Sequence, residues 1–414
     1  MSALADMLST IFERRYRGVR EADRDNRSME ELAHDLLGNS GEISGGLVAR
    51  QILDRYAALS QDEKRAFFEF VTHGLEISPQ TVRDTLEAYE KKPSKASYRA
   101  FAAACEPGRQ EFARRLNRVP GATGKLVDMR HDLLRLLKEH KNLEPLDVDF
   151  HHLFGSWFNR GFLVLRPINW DSSASILEKI IEYEAVHAID SWDDLRRRLK
   201  PSDRRCFGFF HPSMSDDPLI FVEVALTRGV PNSVQGLLAD EREAILEEDA
   251  DTAVFYSISN CQAGLAGISF GNSLIKQVVS DLSRDLPNLK TFVTLSPIPG
   301  LNKWLGGSQI SLLPRDDHKA LAAHYLLEAK RPDGFPVDPV ARFHLGNGAQ
   351  IHAVHADADT SDNGMRQSNG VMVNYLYDLN QISQNHEKFA AEKEITASHD
   401  VRTLSATVKT SQGD

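Results

Sequence analysis

The chain has 414 residues and a formal charge of −10, which predicts two or three domains. The negative balance argues against nucleic acid, whose phosphates call for clustered Lys and Arg. No apolar run approaches the ~20 residues that a membrane span needs. Cys105, Cys206 and Cys261 are isolated and lack metal-ligand spacing, as expected of thiols in a reducing compartment. The N-terminal twenty residues mix Asp and Glu with arginine and lack an apolar signal core. Neither a secretory signal nor a transit peptide is expected, and the C-terminus carries no address, so the reading is a soluble cytoplasmic protein.

Residues 1 to about 140 read as helices throughout, within a first domain expected over 1–150. Ser60-Gln-Asp-Glu63 is a capping box ahead of an apolar-periodic run. Ser78-Pro79 opens another helix through 92, the pattern resumes over 97–105, and 129–141 sets Leu133, Leu134, Leu136 and Leu137 on one flank. Nothing in this region suggests chemistry, and a packing or oligomerisation role is expected. From about residue 151, strand and helix signals alternate. Segments 205–211 and 218–227 read as strands; in the second, Ile220, Val222, Val224 and Leu226 share one face while Glu223 points the other way, towards solvent or a partner. A helix near 320–329 is expected to be amphipathic and to cover a sheet. Strands follow at 349–354 and 371–377. From about residue 392 the chain turns Ser/Thr-rich and predicts a mobile tail through 414. Residues 151–391 therefore read as one α/β or α+β domain.

The organising stretch lies at 253–300. Residues 253–259 predict a strand. A Gly-rich loop follows, and then Leu274, Ile275, Val278, Val279 and Leu282 mark one helical face. Residues 290–295 predict a second strand, stopped by Ser296-Pro297-Ile298-Pro299-Gly300. Such a unit joins two parallel strands, and ligands collect beyond their carboxyl ends. Glycines at 264, 267 and 271 let the backbone approach a ligand, and free amides at a helix start favour phosphate.

Gly267-Ile-Ser269-Phe-Gly271 also matches the nucleophile elbow of serine hydrolases, with Asp338 and His344 in triad order. The elbow needs its strand to run almost directly into the first glycine, and Asn260–Ala266 intervenes here. Ser296 sits at a strand's carboxyl end, where a serine either serves a site or bonds its own backbone. His344, just before Gly346-Asn347-Gly348, is an acid/base candidate beside a turn. His352, His355, Asp357 and Asp359 resemble a metal set only superficially, and the Asp-rich loop lacks the glycine and terminal glutamate of a calcium loop.

Several long motifs carry a resemblance: His152-Leu-Phe-Gly-Ser-Trp-Phe-Asn-Arg-Gly-Phe162, Phe255-Tyr-Ser-Ile-Ser259, Leu274-Ile-Lys276, Leu295-Ser-Pro-Ile-Pro-Gly300, Pro339-Val-Ala-Arg-Phe-His-Leu-Gly-Asn-Gly-Ala349 and Gly370-Val-Met-Val-Asn-Tyr375. In this order they resemble the malonyl-CoA decarboxylase family. The resemblance implies an α+β chain: a helical oligomerisation domain, then a GNAT-like catalytic domain with a mixed, splayed sheet. It implies a homo-oligomer, a tetramer, that converts malonyl-CoA to acetyl-CoA and CO2 without a cofactor or metal, in malonate or fatty acid metabolism. By position it places the malonyl-CoA loop on Ala266, Gly267, Ile268, Ser269, Phe270, Gly271 and Asn272. It places the catalytic pair on Ser296 and His344, with Tyr375 and Tyr377 as supporting groups. The acetyltransferase loop has a glycine where Ser269 stands, so a backbone cradle is implied there and no side-chain role. The alternatives are a GNAT-type acyltransferase that needs an amine acceptor, and a serine hydrolase using Ser269.

Overall fold

The computed structural model describes residues 26–38, 41–268, 274–307 and 318–408. These form two compact units, one comprising the described residues up to Trp157 together with Ala263–Ile268, the other the remainder. The first boundary is not at residue 150, because the helix Glu144–Trp157 runs through it.

The first unit is helical, as its patterning predicts. Ser60 and Glu63 form the reciprocal cap of the helix Gln61–Gly74, and Ser78 caps Pro79–Lys91 with proline in its first turn. Phe67, Phe68 and Val71 line the buried side of Gln61–Gly74 and meet Tyr56 and Phe112 in an aromatic core. Arg109 and Asp149 form a buried ion pair within it.

Among the described residues the second unit is built on one mixed sheet of eight strands: β1 (Val164–Ile168), β2 (Arg204–His211), β3 (Met214–Thr227), β4 (Thr252–Asn260), β5 (Thr291–Thr294), β6 (Ser296–Pro297), β7 (Gln350–His355) and β8 (Met372–Leu376). β1 to β4 form an antiparallel meander. β4 and β5 are parallel, joined through the helix Leu274–Asp285, which buries Leu274, Ile275, Val278, Val279 and Leu282 as the spacing predicts. Pairing of β4 with β5 stops at Phe255–Thr294, yet β4 continues to Asn260. Beyond that point the two strands part, which is the splayed sheet expected of a GNAT-like domain. A bulge helps: Glu223 pairs with Ser257 but Val224 with Phe255, so Tyr256 is the extra residue.

Three expectations are corrected. Glu223 faces neither solvent nor a partner; it is fully buried, because the face it shares with Cys206 and Phe221 is covered by Ala174–Tyr183 and Trp192–Leu199. The helix His318–Glu328 is not amphipathic but buried along nearly its whole length. The tail expected to be mobile from residue 392 is ordered through Val408. Ile351 donates its amide to Thr396, Ser398 caps the helix His399–Ala406, and Val401 is fully buried. One docked valine and a capped turn suffice where composition alone suggests none. Among the described residues no helix is long and apolar enough to cross a membrane.

Candidate active site

Leu295 to Gly300 is placed by its prolines. Pro297 and Pro299 lack amide donors and cannot extend a ladder, so β6 is limited to Ser296 and Pro297, paired with Val373 and Met372 of β8. Gly300 follows because a Cβ there would lie 2.2 Å from the Tyr325 hydroxyl. Ser296 is thereby held just past the carboxyl end of β5, with its side chain buried.

His344 comes from the helix Pro339–Gly346. Asp338 caps that helix, its Oδ1 accepting from the amides of Val340 and Ala341 at 2.9 Å each, and Pro339 supplies the preset first turn. Burial pushes the Asp338 carboxyl up to about 6, against the pull of the amides that bond it. The histidine expected beside a turn is therefore on a capped helix, only 2% exposed.

The two elements bring Ser296 and His344 together. His344 Nε2 lies 3.2 Å from Ser296 Oγ, and the Ser296 hydroxyl donates to Thr294 Oγ1 at 2.8 Å. On the far side of the ring, Nδ1 lies 2.7 Å from the Tyr377 hydroxyl. Tyr375 stacks on the imidazole, ring centroids 4.5 Å apart. Burial alone pushes the His344 imidazole down to about 3, so it is neutral at physiological pH. With the Ser296 proton directed at Thr294, the consistent arrangement has Nε2–H donating to Ser296 and the Tyr377 hydroxyl donating to Nδ1.

Ser296 and His344 open on a cavity of about 250 Å³ in the gap between the parted strands. Phe255 and Tyr256 both line it, which adjacent strand residues achieve only because the bulge disrupts their alternation. Val186, Ile258, Val340 and Phe343 give it apolar walls, and among the described residues none of its lining side chains is Asp, Glu, Lys or Arg.

The sequence-predicted residues divide clearly. Ser296, His344, Tyr375 and Tyr377 are gathered in one cluster. Ala266, Gly267 and Ile268 lie in a loop grouped with the helical residues, while Ser269, Phe270, Gly271 and Asn272 lie outside the described residues. The hydrolase triad is not formed: Asp338 binds helix amides, and both His344 nitrogens are engaged by Ser296 and Tyr377. Thr294 is the residue that sequence reasoning missed. It lies two positions before Ser296, and that strand spacing is the signal that could have found it.

The malonyl-CoA decarboxylase C-terminal domain family matches residues 161–320 and 314–413, and the corresponding N-terminal domain family matches 76–158. A mitochondrial malonyl-CoA decarboxylase of Anser anser anser is 35% identical over 340 residues, covering 69% of this chain and 67% of its own. That of Rattus norvegicus is 33% identical, covering 70% of each. Among solved structures, malonyl-CoA decarboxylase from Rhodopseudomonas palustris is 48% identical with a TM-score of 0.85, covering 91% of this chain and 98% of that one. The Cupriavidus metallidurans enzyme is 34% identical with a TM-score of 0.73, covering 93% and 100%. With both of its domains matched and relatives of this identity aligned over most of its length, the chain belongs to the malonyl-CoA decarboxylase family.

Proposed function

We propose that this protein decarboxylates malonyl-CoA to acetyl-CoA and CO2 at Ser296 and His344. The observation that carries the reading is the neutral Tyr377–His344–Ser296 chain at the wall of a cavity that, among the described residues, carries no charged side chain. A malonyl carboxylate placed there finds no counter-ion among the described residues. Loss of CO2 removes that buried charge and passes the bonding electron pair into the thioester carbonyl, giving an enolate. The α-carbon must then take a proton. A carbanion-like α-carbon is basic enough to take one from neutral imidazole, so His344 Nε2 is the donor and the cavity needs no imidazolium. Tyr377, donating to Nδ1, fixes the tautomer and stabilises the negative charge that builds on the ring; solvent then restores the proton. Ser296 orients the malonyl group, its own hydroxyl held by Thr294. Residues 266–272 are assigned to the CoA diphosphate, a reading supported by the three glycines and by the capacity of free backbone amides to bind anions.

The test is product identification from malonyl-CoA with no acceptor and no added cofactor. Equimolar acetyl-CoA and CO2 are expected. Free CoA with malonate would point to the hydrolase, and turnover only in the presence of an amine to the acyltransferase.

A homo-oligomer, a tetramer, is proposed to form through the helical region, supported there by the exposed Ile43, Tyr98 and Val148. A cytoplasmic place is supported by three free thiols, and a role in malonate or fatty acid metabolism by the substrate itself. Sedimentation of the purified protein and cell fractionation check the first two.

A further inference from the structure

The segment that leaves β4 does not cluster with the sheet it comes from. Ala263–Ile268 groups with the helical residues, and two kinds of contact hold it there. First, a Cβ on Gly264 would lie 1.9 Å from the Val127 carbonyl oxygen, so this backbone approach tolerates only glycine. Second, the guanidinium of Arg130, on the helix Ala122–Leu136, is 2% exposed and grips the loop. Its Nη1 donates to Gly264 O at 2.8 Å and to Ala266 O at 2.9 Å, while Nε donates to Asp147 Oδ1 at 2.8 Å. His151 Nε2 lies 3.3 Å from Gly267 O.

The orientation has a consequence for anions. In a planar trans peptide the carbonyl and the following N–H point opposite ways. Turning the carbonyls of Gly264 and Ala266 onto Arg130 therefore turns the amides of Leu265 and Gly267 away from it. Gly267 then bends the chain with φ of +81°. Carbonyl oxygens that would repel a phosphate are taken up by a buried cation, and the amide hydrogens of Leu265 and Gly267 point to the opposite side of the loop from it.

We propose that Arg130 is a positioning residue for CoA: by anchoring the carbonyls of Gly264 and Ala266 it sets the backbone amides of Leu265 and Gly267 for the diphosphate. The inference rests on the reading that this loop receives the CoA diphosphate. It makes Arg130, outside every motif that carries the family resemblance, a determinant of substrate affinity and not of the chemical step.

The experiment uses the full-length protein with two substrates, malonyl-CoA and malonyl-pantetheine, which lacks the diphosphate. Arg130→Met should raise KM for malonyl-CoA about tenfold or more, with kcat within about threefold, and leave kcat/KM for malonyl-pantetheine unchanged. Arg130→Lys, which keeps the charge but loses the fork, should fall between the two and covers the case in which the methionine variant does not fold. Arg109→Met breaks another buried ion pair of the helical unit and should lower thermal stability without separating the two substrates. Equal losses on both substrates, or an unchanged KM, would overturn the proposal. Wild-type protein that turns over malonyl-pantetheine but shows no gain from the CoA diphosphate would overturn it too. Wild-type protein inactive on both would overturn the decarboxylase reading as well.

Discussion

His344 lies against Tyr375 with ring planes 22° apart, and its Nδ1 meets the Tyr377 hydroxyl at 2.7 Å. Two tyrosines, two positions apart, thus fix the plane and the tautomer of one imidazole. Their roles separate by substitution. Tyr377→Phe keeps the ring and deletes the hydrogen bond, and should lower kcat about 10- to 100-fold with KM within about threefold. Tyr375→Phe keeps the stack and should retain most activity, because the contact it makes with His344 is through its ring. Steady-state kinetics on both variants checks this; equal loss in the two would remove the tautomer role of Tyr377.

The protonation of His344 gives a second prediction. An ordinary histidine titrates near 6.5, but burial holds this one at about 3. If the neutral ring is the working form, kcat/KM should show no inflection between pH 6 and 7.5. A limb near 6.5 that vanishes in His344→Gln would mean that imidazolium is the donor. The sign for stability is separate. The folded pKa is depressed, so between about 6.5 and 3 the unfolded chain binds the extra proton, and stability falls as pH falls through that window. His344→Gln should flatten this part of the thermal stability curve.

Thr294 is fully buried and serves two partners, accepting from the Ser296 hydroxyl at 2.8 Å and from the Tyr375 amide at 3.1 Å. Thr294→Val keeps the shape and removes both bonds. The stranded amide should cost about 1–3 kcal/mol of stability. Ser296, released, would turn its proton towards Nε2 and oppose the working tautomer, lowering kcat about tenfold or more. Thr294→Ser should restore both properties. Calorimetry and kinetics on the pair of variants check this; full activity in Thr294→Val would show that the Ser296 proton is not held by Thr294.

Local features were legible in the sequence where a local rule governs them. The caps at Ser60 and Ser78, the apolar face of Leu274–Asp285 and the proline-stopped strand before Ser296 all follow from spacing and turn chemistry. Non-local features were not. The Tyr377–His344 contact depends on β8 returning antiparallel beside β5, with Val293 opposite Leu376, and no local pattern specifies that register. Arg130 and the loop carbonyls are more than a hundred residues apart, beyond any periodicity. Alternation along β3 separated Glu223 from its apolar neighbours correctly, but alternation says which face, not whether that face is covered.

That burial makes Glu223 the source of a pH effect on stability. Its carboxyl is pushed up to about 8, first by burial and then by Glu184, against the opposing pull of Arg198. Arg198 Nη1 is 3.4 Å from Glu223 Oε2, and Arg198 also donates to the carbonyls of His187 and Ala188 and to Asp194. The long contact to a shared cation does not offset the desolvation, so Glu223 holds its proton at neutral pH. With the folded pKa above the unfolded value, the native state binds the extra proton between about 4.5 and 8. The stability this contributes is full below about 4.5 and is lost as pH rises through 8. Glu223→Gln keeps the uncharged shape and removes the titration. The melting temperature of the wild type should therefore fall more steeply than that of Glu223→Gln between pH 6 and 8, by up to about one proton's worth of slope. Other buried acids, Asp338 among them, act equally in both proteins and cancel in the difference. Parallel curves would mean that Glu223 is ionised throughout and that Arg198 carries its charge.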